Sequence, residues 1–266
     1  MTPADSKIER ETTQLPDELR ARTLERFEEH RRAWQKNRPL RTMNADLYAQ
    51  VASHLPPETL GRRIELGSGP GFAREFIPGI ELTDLVRAPW HDGEASAEAL
   101  PFEAGSIAAL VLFDVLHHVP SPRKFFEEAV RVLAPGGRIV MCEPYISPVS
   151  YPVYKFLHEE HLDMGADPLA LHASDGARDP FESNQGIPTL LFGRRRQAFS
   201  EAFPALSIQH IQYMTGFSLP ASGGFSHRPF LPFALWSLLH RIDGWLPSAL
   251  MRWMAFRMLV VLERGA

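Results

Sequence analysis

Six consecutive apolar residues, Ala108-Ala109-Leu110-Val111-Leu112-Phe113, run into Asp114 without one polar interruption. Such a run offers water no polar face, so it reads as a strand covered on both sides. A sheet covered on both sides carries helices on each face, and helical crossovers make its neighbouring strands parallel. The sequence around the run repeats that logic. Residues 63–66, 81–85 and 138–142 are short strand-like segments, and 91–97 reads as a brief further strand. Between two of them, residues 122–133 place Phe125, Phe126, Ala129, Val130 and Leu133 on one helical face and stop before Pro135-Gly136-Gly137.

The flanks are different. Residues 1–15 read as a polar tail. Residues 17–37 form a charged amphipathic helix with Leu19, Thr23, Phe27, His30 and Trp34 in a narrow stripe, and a second helix covers about 42–54 before Pro56-Pro57. This divides the chain into an N-terminal helical cap, 1–57, and a main domain, 58–266, with insertions at about 147–204 and 216–256. Residues 163–188 read as a long loop, 190–203 and 233–256 as helical, and 206–214 and 258–263 as strands. With 266 residues and 44% hydrophobic content the chain has material for a large core. The single cysteine, Cys142, excludes a disulfide framework and multi-thiolate zinc. A net charge of −4 disfavours a basic nucleic-acid surface. The polar start has no secretory h-region, and the charge-free run 229–239 is too short to span a bilayer, so a cytoplasmic protein is expected.

The chemistry concentrates at Glu65-Leu66-Gly67-Ser68-Gly69-Pro70-Gly71-Phe72, where a strand empties into glycines ahead of an expected helix. Glycine permits positive φ and lets a ligand touch backbone directly. A dinucleotide fingerprint requires G-x-G-x-x-G, and Phe72 occupies its third glycine, which disfavours an NAD(P)-dependent oxidoreductase.

ELGSGPG resembles the first motif of class I S-adenosylmethionine-dependent methyltransferases. The rest of that series follows in order: Asp84 ending the second strand, the stretch 97–102, Phe113-Asp114 with His117-His118, residues 131–138, and Glu143-Pro144. Over residues 60–146 the chain is similar to the small-molecule type 11 branch. The resemblance implies a Rossmann-like three-layer α/β sandwich with a mostly parallel seven-stranded sheet, the last strand antiparallel, plus helical cover elements. It implies S-adenosylmethionine as cofactor and S-adenosylhomocysteine as product. The Gly67–Gly71 backbone would lie against the amino-acid end, with Glu65 orienting either the loop or the cofactor's amino group; Asp84 would bond the ribose hydroxyls, Ala97 and Glu98 would flank the adenine with Ser96 able to hydrogen-bond there, and Ser68, Leu85, Phe113 and Asp114 are further cofactor-binding candidates. Two departures stand out. Relatives carry Gly-Asp-Ala where this chain has Ala95-Ser96-Ala97, which removes an adenine-facing carboxylate. The short spacing from Asp84 to Ser96 also leaves no room for a crossover helix, so 86–92 should be a loop, with Trp90 either stacking on adenine or packing.

For catalysis, His118 beyond the fourth strand is the candidate general base and Tyr145 a second candidate at the acceptor. No metal site is expected: His158-Glu159-Glu160-His161 lacks the zinc-protease spacing. The expected activity is methyl transfer to a small, partly apolar acceptor, most simply at oxygen; a non-catalytic cofactor-binding regulator is the alternative. No nucleic acid and no transmembrane segment are expected, peripheral membrane contact is left open by the aromatic stretch 217–256, and oligomeric state is not readable.

Overall fold

The computed structural model describes residues 15–170 and 179–265. The tail expected over 1–15 lies outside these residues except for Leu15, as does the middle of the loop expected over 163–188. Seven strands form one sheet: β1 (Arg62–Leu66), β2 (Glu81–Asp84), β3 (Gly93–Glu94), β4 (Ile107–Phe113), β5 (Leu133–Pro144), β6 (Leu206–Met214) and β7 (Arg257–Arg264). Their order is β3-β2-β1-β4-β5-β7-β6. All neighbours from β3 to β5 pair in parallel, and β7 runs antiparallel between β5 and β6. The apolar run is buried through β4 as far as Leu112, as a two-sided strand requires.

Nine α-helical segments surround the sheet: α1 (Asp17–Lys36), α2 (Arg38–Ser53), α3 (Pro122–Val132), α4 (Ser150–Phe156), α5 (Ile187–Thr189, continuing as a π-turn over Leu190–Arg194), α6 (Arg196–Ala202), α7 (Ser218–Ala221), α8 (Phe233–Trp245) and α9 (Ser248–Met254), counted among the described residues. On one face Phe125 and Phe126 of α3 pack with Leu110, Leu112, Ile139 and Phe199. Ser121 caps α3, its hydroxyl accepting from Lys124 N, and Pro122 fits the first turn, where no amide donor is needed. On the other face Trp34, Leu47 and Val51 pack with Leu82, Val111, Val140 and Trp236.

Two local expectations are corrected. The segment after the glycine loop is not a helix but a single 3₁₀ turn, Phe72–Glu75. Pro78-Gly79 and the short connection to β2 leave no length for a crossover helix. α2 fills that space instead, with Tyr48 stacked on Phe76 and Phe113 at ring-centroid distances of 5.2 and 4.4 Å. α2 also starts at Arg38 rather than near 42. Asn37 caps it, Oδ1 accepting from Leu40 N, and Pro39 is tolerated in the first turn. The Asn37 amide also donates to the Ser222 and Gly224 carbonyls, tying the α1–α2 corner to the segment before α8. As expected, no helix lies between β2 and β3.

Candidate active site

In an open parallel sheet, ligands bind beyond the strands' carboxyl ends, where the strand order reverses. Here that point lies between β1 and β4. The ends of β1, β2, β4 and β5 deliver the glycine loop, Asp84, Asp114 and Glu143 to this edge.

The loop takes positive φ at Gly67, Gly69 and Gly71. A Cβ on Gly67 would lie 2.7 Å from Val115, and one on Gly71 would lie 2.5 Å from Trp90. At Gly69 a Cβ would meet only Phe27, at 3.6 Å. The outer two glycines are therefore demanded by close neighbours, whereas the middle one is favoured by its φ of +46° and would only touch Phe27. Ser68 serves the loop itself: its hydroxyl donates to the Glu65 carbonyl and accepts from Thr83 N. Trp90 Nε1 donates to the Gly69 carbonyl at 2.8 Å, and its ring packs on Gly71 and under the Arg31 guanidinium. Trp90 thus packs on the loop. His91 Nδ1 accepts from Ala88 N, which leaves the proton on Nε2 to bond the same Gly69 carbonyl.

Two buried carboxylates face the loop. Glu65 has Oε1 bonded by the Tyr48 hydroxyl at 3.2 Å, while Oε2 is buried with no hydrogen-bond partner. Burial pushes its carboxyl up to about 8, against the hydrogen bonding it receives. Asp84 accepts from Gly69 N at 2.8 Å and Val86 N at 3.2 Å; burial raises its pKa and these bonds oppose the rise. Asp84 therefore grips the loop in this state as well as ending β2. Leu85 beside it is exposed. Ser96 Oγ accepts from Glu98 N, and Ala97 packs against the α3-side core. Phe113 stacks on Tyr48, and Asp114, at φ +60°, is ion-paired with Arg257 at the start of β7. Aspartate is among the few side chains that tolerate that backbone region.

Past Asp114 the chain turns through His117 and His118. Glu143 Oε1 accepts from the Val115 and Leu116 amides, and Oε2 lies 2.7 Å from His117 Nδ1. His117 Nε2 faces Glu160 at 3.4 Å, and Glu160 also accepts from Ser183 and Gln185. Burial works against charge on His117, but the two carboxylates outweigh it and raise its pKa to about 9. Glu160 is half-buried; burial opposes its charge, yet His117 holds its carboxyl well below the usual range. A buried cation thus joins β5 to the 147–204 insertion. His117, His118 and Glu160 offer ligand atoms within 4.8 Å of one another, as do Asp114, His117 and Glu143. In this arrangement the proton on His117 does the bridging that an ion would do.

His118 lies across from α1. Its Nε2 is 3.9 Å from Glu160, and its ring meets the edge of Phe181, which in turn meets Phe27. His30, one turn from Phe27, is lowered to about 4 by burial and by Arg26. Phe27 and Phe181 therefore link Gly69 to His118, while the His30 ring stacks on Phe225. Tyr145 stands differently: its hydroxyl donates to the Arg252 carbonyl at 3.1 Å, and its ring packs on Tyr213. Burial and Tyr213 push it up to about 12, which disfavours its acting as a base near neutral pH. Sequence reasoning gave no site role to His117, Glu160, His30 or Phe181; the His117-His118 pair, Glu160 and His30 had stood in quoted segments, and nothing there indicated that they meet.

Residues 81–141 match the family described as "Methyltransferase domain". An uncharacterized methyltransferase of Mycobacterium sp. (strain JLS) is 36% identical over 114 residues, 37% of this chain and 44% of that protein. The demethylmenaquinone methyltransferase of Clavibacter sepedonicus is 47% identical over 55 residues, 21% and 22% of the two. The chain thus aligns with less than half the length of these relatives. One chain of a Haloferax volcanii complex between the Trm112 methyltransferase activator and a methyltransferase shares the fold, at TM-score 0.51 and 15% identity over 94% of this chain and 99% of that one. The matched segment, which runs from β2 into β5, is thus similar to a methyltransferase domain, and the sheet order with its antiparallel β7 belongs to a fold shared with that Haloferax chain.

Proposed function

We propose that the protein transfers a methyl group from S-adenosylmethionine to a small, partly apolar acceptor, at oxygen. The observation that carries this reading is the buried Oε2 of Glu65, which has no hydrogen-bond partner, on the strand that runs directly into the glycine loop. A buried acceptor left without a donor costs about 1–3 kcal/mol, and an incoming ammonium group would relieve it. An α-ammonium group on the ligand suits that position, because its charge would favour the carboxylate form that burial disfavours.

When bound, the cofactor supplies a methyl group on a sulfonium, which already carries the difficult chemistry. The chain's own tasks are holding, drying and deprotonating. Glu65 and the loop backbone hold the amino-acid end, and Asp84 at the end of β2 is placed for a ribose hydroxyl. Phe27 and Phe181 keep water from the space above Gly69. Positioning of this kind accounts for roughly 7–11 kcal/mol of barrier lowering in well-aligned reactions. His118 Nε2 takes the proton of an acceptor hydroxyl, and Glu160 nearby favours the resulting imidazolium.

Calorimetry with S-adenosylhomocysteine and NADH, followed by turnover of labelled methyl donor with aromatic and prenylated hydroxyl compounds, tests the proposal. Heat with S-adenosylhomocysteine and label in product are expected. Nicotinamide binding alone would refute it, and cofactor binding without turnover on any acceptor would favour a non-catalytic regulator.

A further inference from the structure

α8 is amphipathic the wrong way round for a helix that only completes a core. Trp236, His240 and Asp243 point inward, Trp236 Nε1 donating to the Ser218 carbonyl and His240 meeting Asp46 of α2. On the opposite side Leu235, Leu238, Ile242 and Trp245 recur at helical steps, with exposures from 41% to 81%. α9 continues the surface with Leu250 and Trp253, the latter 63% exposed. The Trp253 carbonyl accepts from Val149 N, so α4 begins alongside and adds Tyr151 and Phe156, both exposed. This many exposed large apolar side chains on the successive helices α8 and α9 and on α4 mark an interaction site.

Charge indicates the occupant. Between Thr215 and Phe256 the only acidic residue is Asp243, and it is buried, accepting from the Gly216 and Ser218 amides. The exposed charges there are Arg228, Arg241 and Arg252, and α4 contributes Lys155. Neither α8 nor α9 carries an exposed carboxylate that could pair Arg241 or Arg252 across a contact between copies. A surface that is at once apolar and basic fits a lipid interface with negative headgroups. Two exposed tryptophans, at the end of α8 and in α9, suit the headgroup boundary, where an apolar ring with a polar N–H is stable. α8 has 13 residues, about 20 Å, and no described helix is long and apolar enough to cross a membrane, so it would lie in the plane of the surface.

We propose that the outward face of α8, α9 and the start of α4 docks the protein onto an anionic lipid bilayer. Both ends of this segment leave the sheet at its carboxyl edge, after Met214 and before Arg257, the edge that carries the glycine loop. Docking would bring that edge next to the bilayer and give a membrane-dissolved acceptor a short path to the site. In that last respect the inference rests on the apolar-acceptor reading.

The test is co-sedimentation of the full chain with phosphatidylcholine vesicles, with and without phosphatidylglycerol, beside calorimetry with S-adenosylhomocysteine. Binding to the anionic vesicles is expected, weakening as salt rises. Leu238→Ser with Trp245→Ser should lower partitioning by about tenfold or more on both vesicle types. Arg241→Ser with Arg252→Ser should remove the anionic preference, at roughly fivefold per arginine. Failure to pellet with either vesicle overturns the proposal. So does a dimer in light scattering that Trp245→Ser dissolves, because the face would then join two copies. Cofactor heat without vesicle binding sinks the docking surface alone; vesicle binding without cofactor heat sinks the methyl-transfer reading and leaves the surface standing.

Discussion

Glu65→Gln should move stability and affinity in opposite directions, an outcome that a purely structural role for Glu65 does not produce. The side chain is fully buried at the end of β1, bonded by Tyr48 through one oxygen and unpartnered at the other. Its carboxyl is raised from 4.5 to about 8, so the folded chain holds a proton that the unfolded chain has lost. Stability therefore falls as pH rises between those two values, by about 1.4 kcal/mol per pH unit. From about pH 5 to about pH 8 the wild type should lose on the order of 4 kcal/mol relative to the glutamine variant. That is a large share of a typical domain's total of about 5–15 kcal/mol. Glutamine keeps the shape and a partner for Tyr48 but cannot balance an ammonium group. S-adenosylhomocysteine affinity should drop by about 1.5–3 kcal/mol, roughly 10- to 150-fold. Urea denaturation at both pH values, with calorimetry, reads both effects. If the variant were less stable at the higher pH, or bound S-adenosylhomocysteine as the wild type does, the assignment of Glu65 to the amino end would be refuted.

Asp84→Ala should weaken cofactor binding by about 1.5–3 kcal/mol, measured by the same calorimetry. Gly69→Val should lose cofactor binding and, at φ +46°, some thermal stability; Gly71→Val, driven into Trp90 as well, should lose more stability. His118→Ala should lower kcat by about 100-fold or more with cofactor affinity unchanged, and a kcat within threefold of wild type would remove it as the base. Glu160→Gln takes away one of the two partners that raise His117. The wild type's advantage should be full below about pH 6.5, on the order of 1–3 kcal/mol, and fade as pH rises through about 9; a pH-independent difference in denaturation midpoint would contradict this.

Much of the fold was readable residue by residue. The unbroken apolar run through Leu112 required a two-sided strand, and glycines spaced as Gly67, Gly69 and Gly71 required a tight loop at its neighbour's end. These are local facts, since an uninterrupted apolar stretch and a positive φ constrain the backbone wherever the rest of the chain goes. The antiparallel last strand was expected from the resemblance, and the structure has it. The helix expected after the glycine loop was misread because propensity cannot sense that α2, from the other side of the loop, already fills that space.

The site divides along the same line. Glycine spacing and the residues at strand ends belong to the sequence, because motif and strand end are adjacent in the chain. Which groups share a proton does not. His117 lies just past β4, Glu143 at the end of β5 and Glu160 inside an insertion without periodicity, and their charges were set only once burial brought the three together. Likewise the apolar residues of 233–254 could be counted in the sequence, but their direction was decided by Trp236 and Asp243 turning inward, which left Trp245 and Trp253 facing out. Composition determines how much apolar surface a chain carries; only packing against the rest of the molecule determines which of it remains in contact with water.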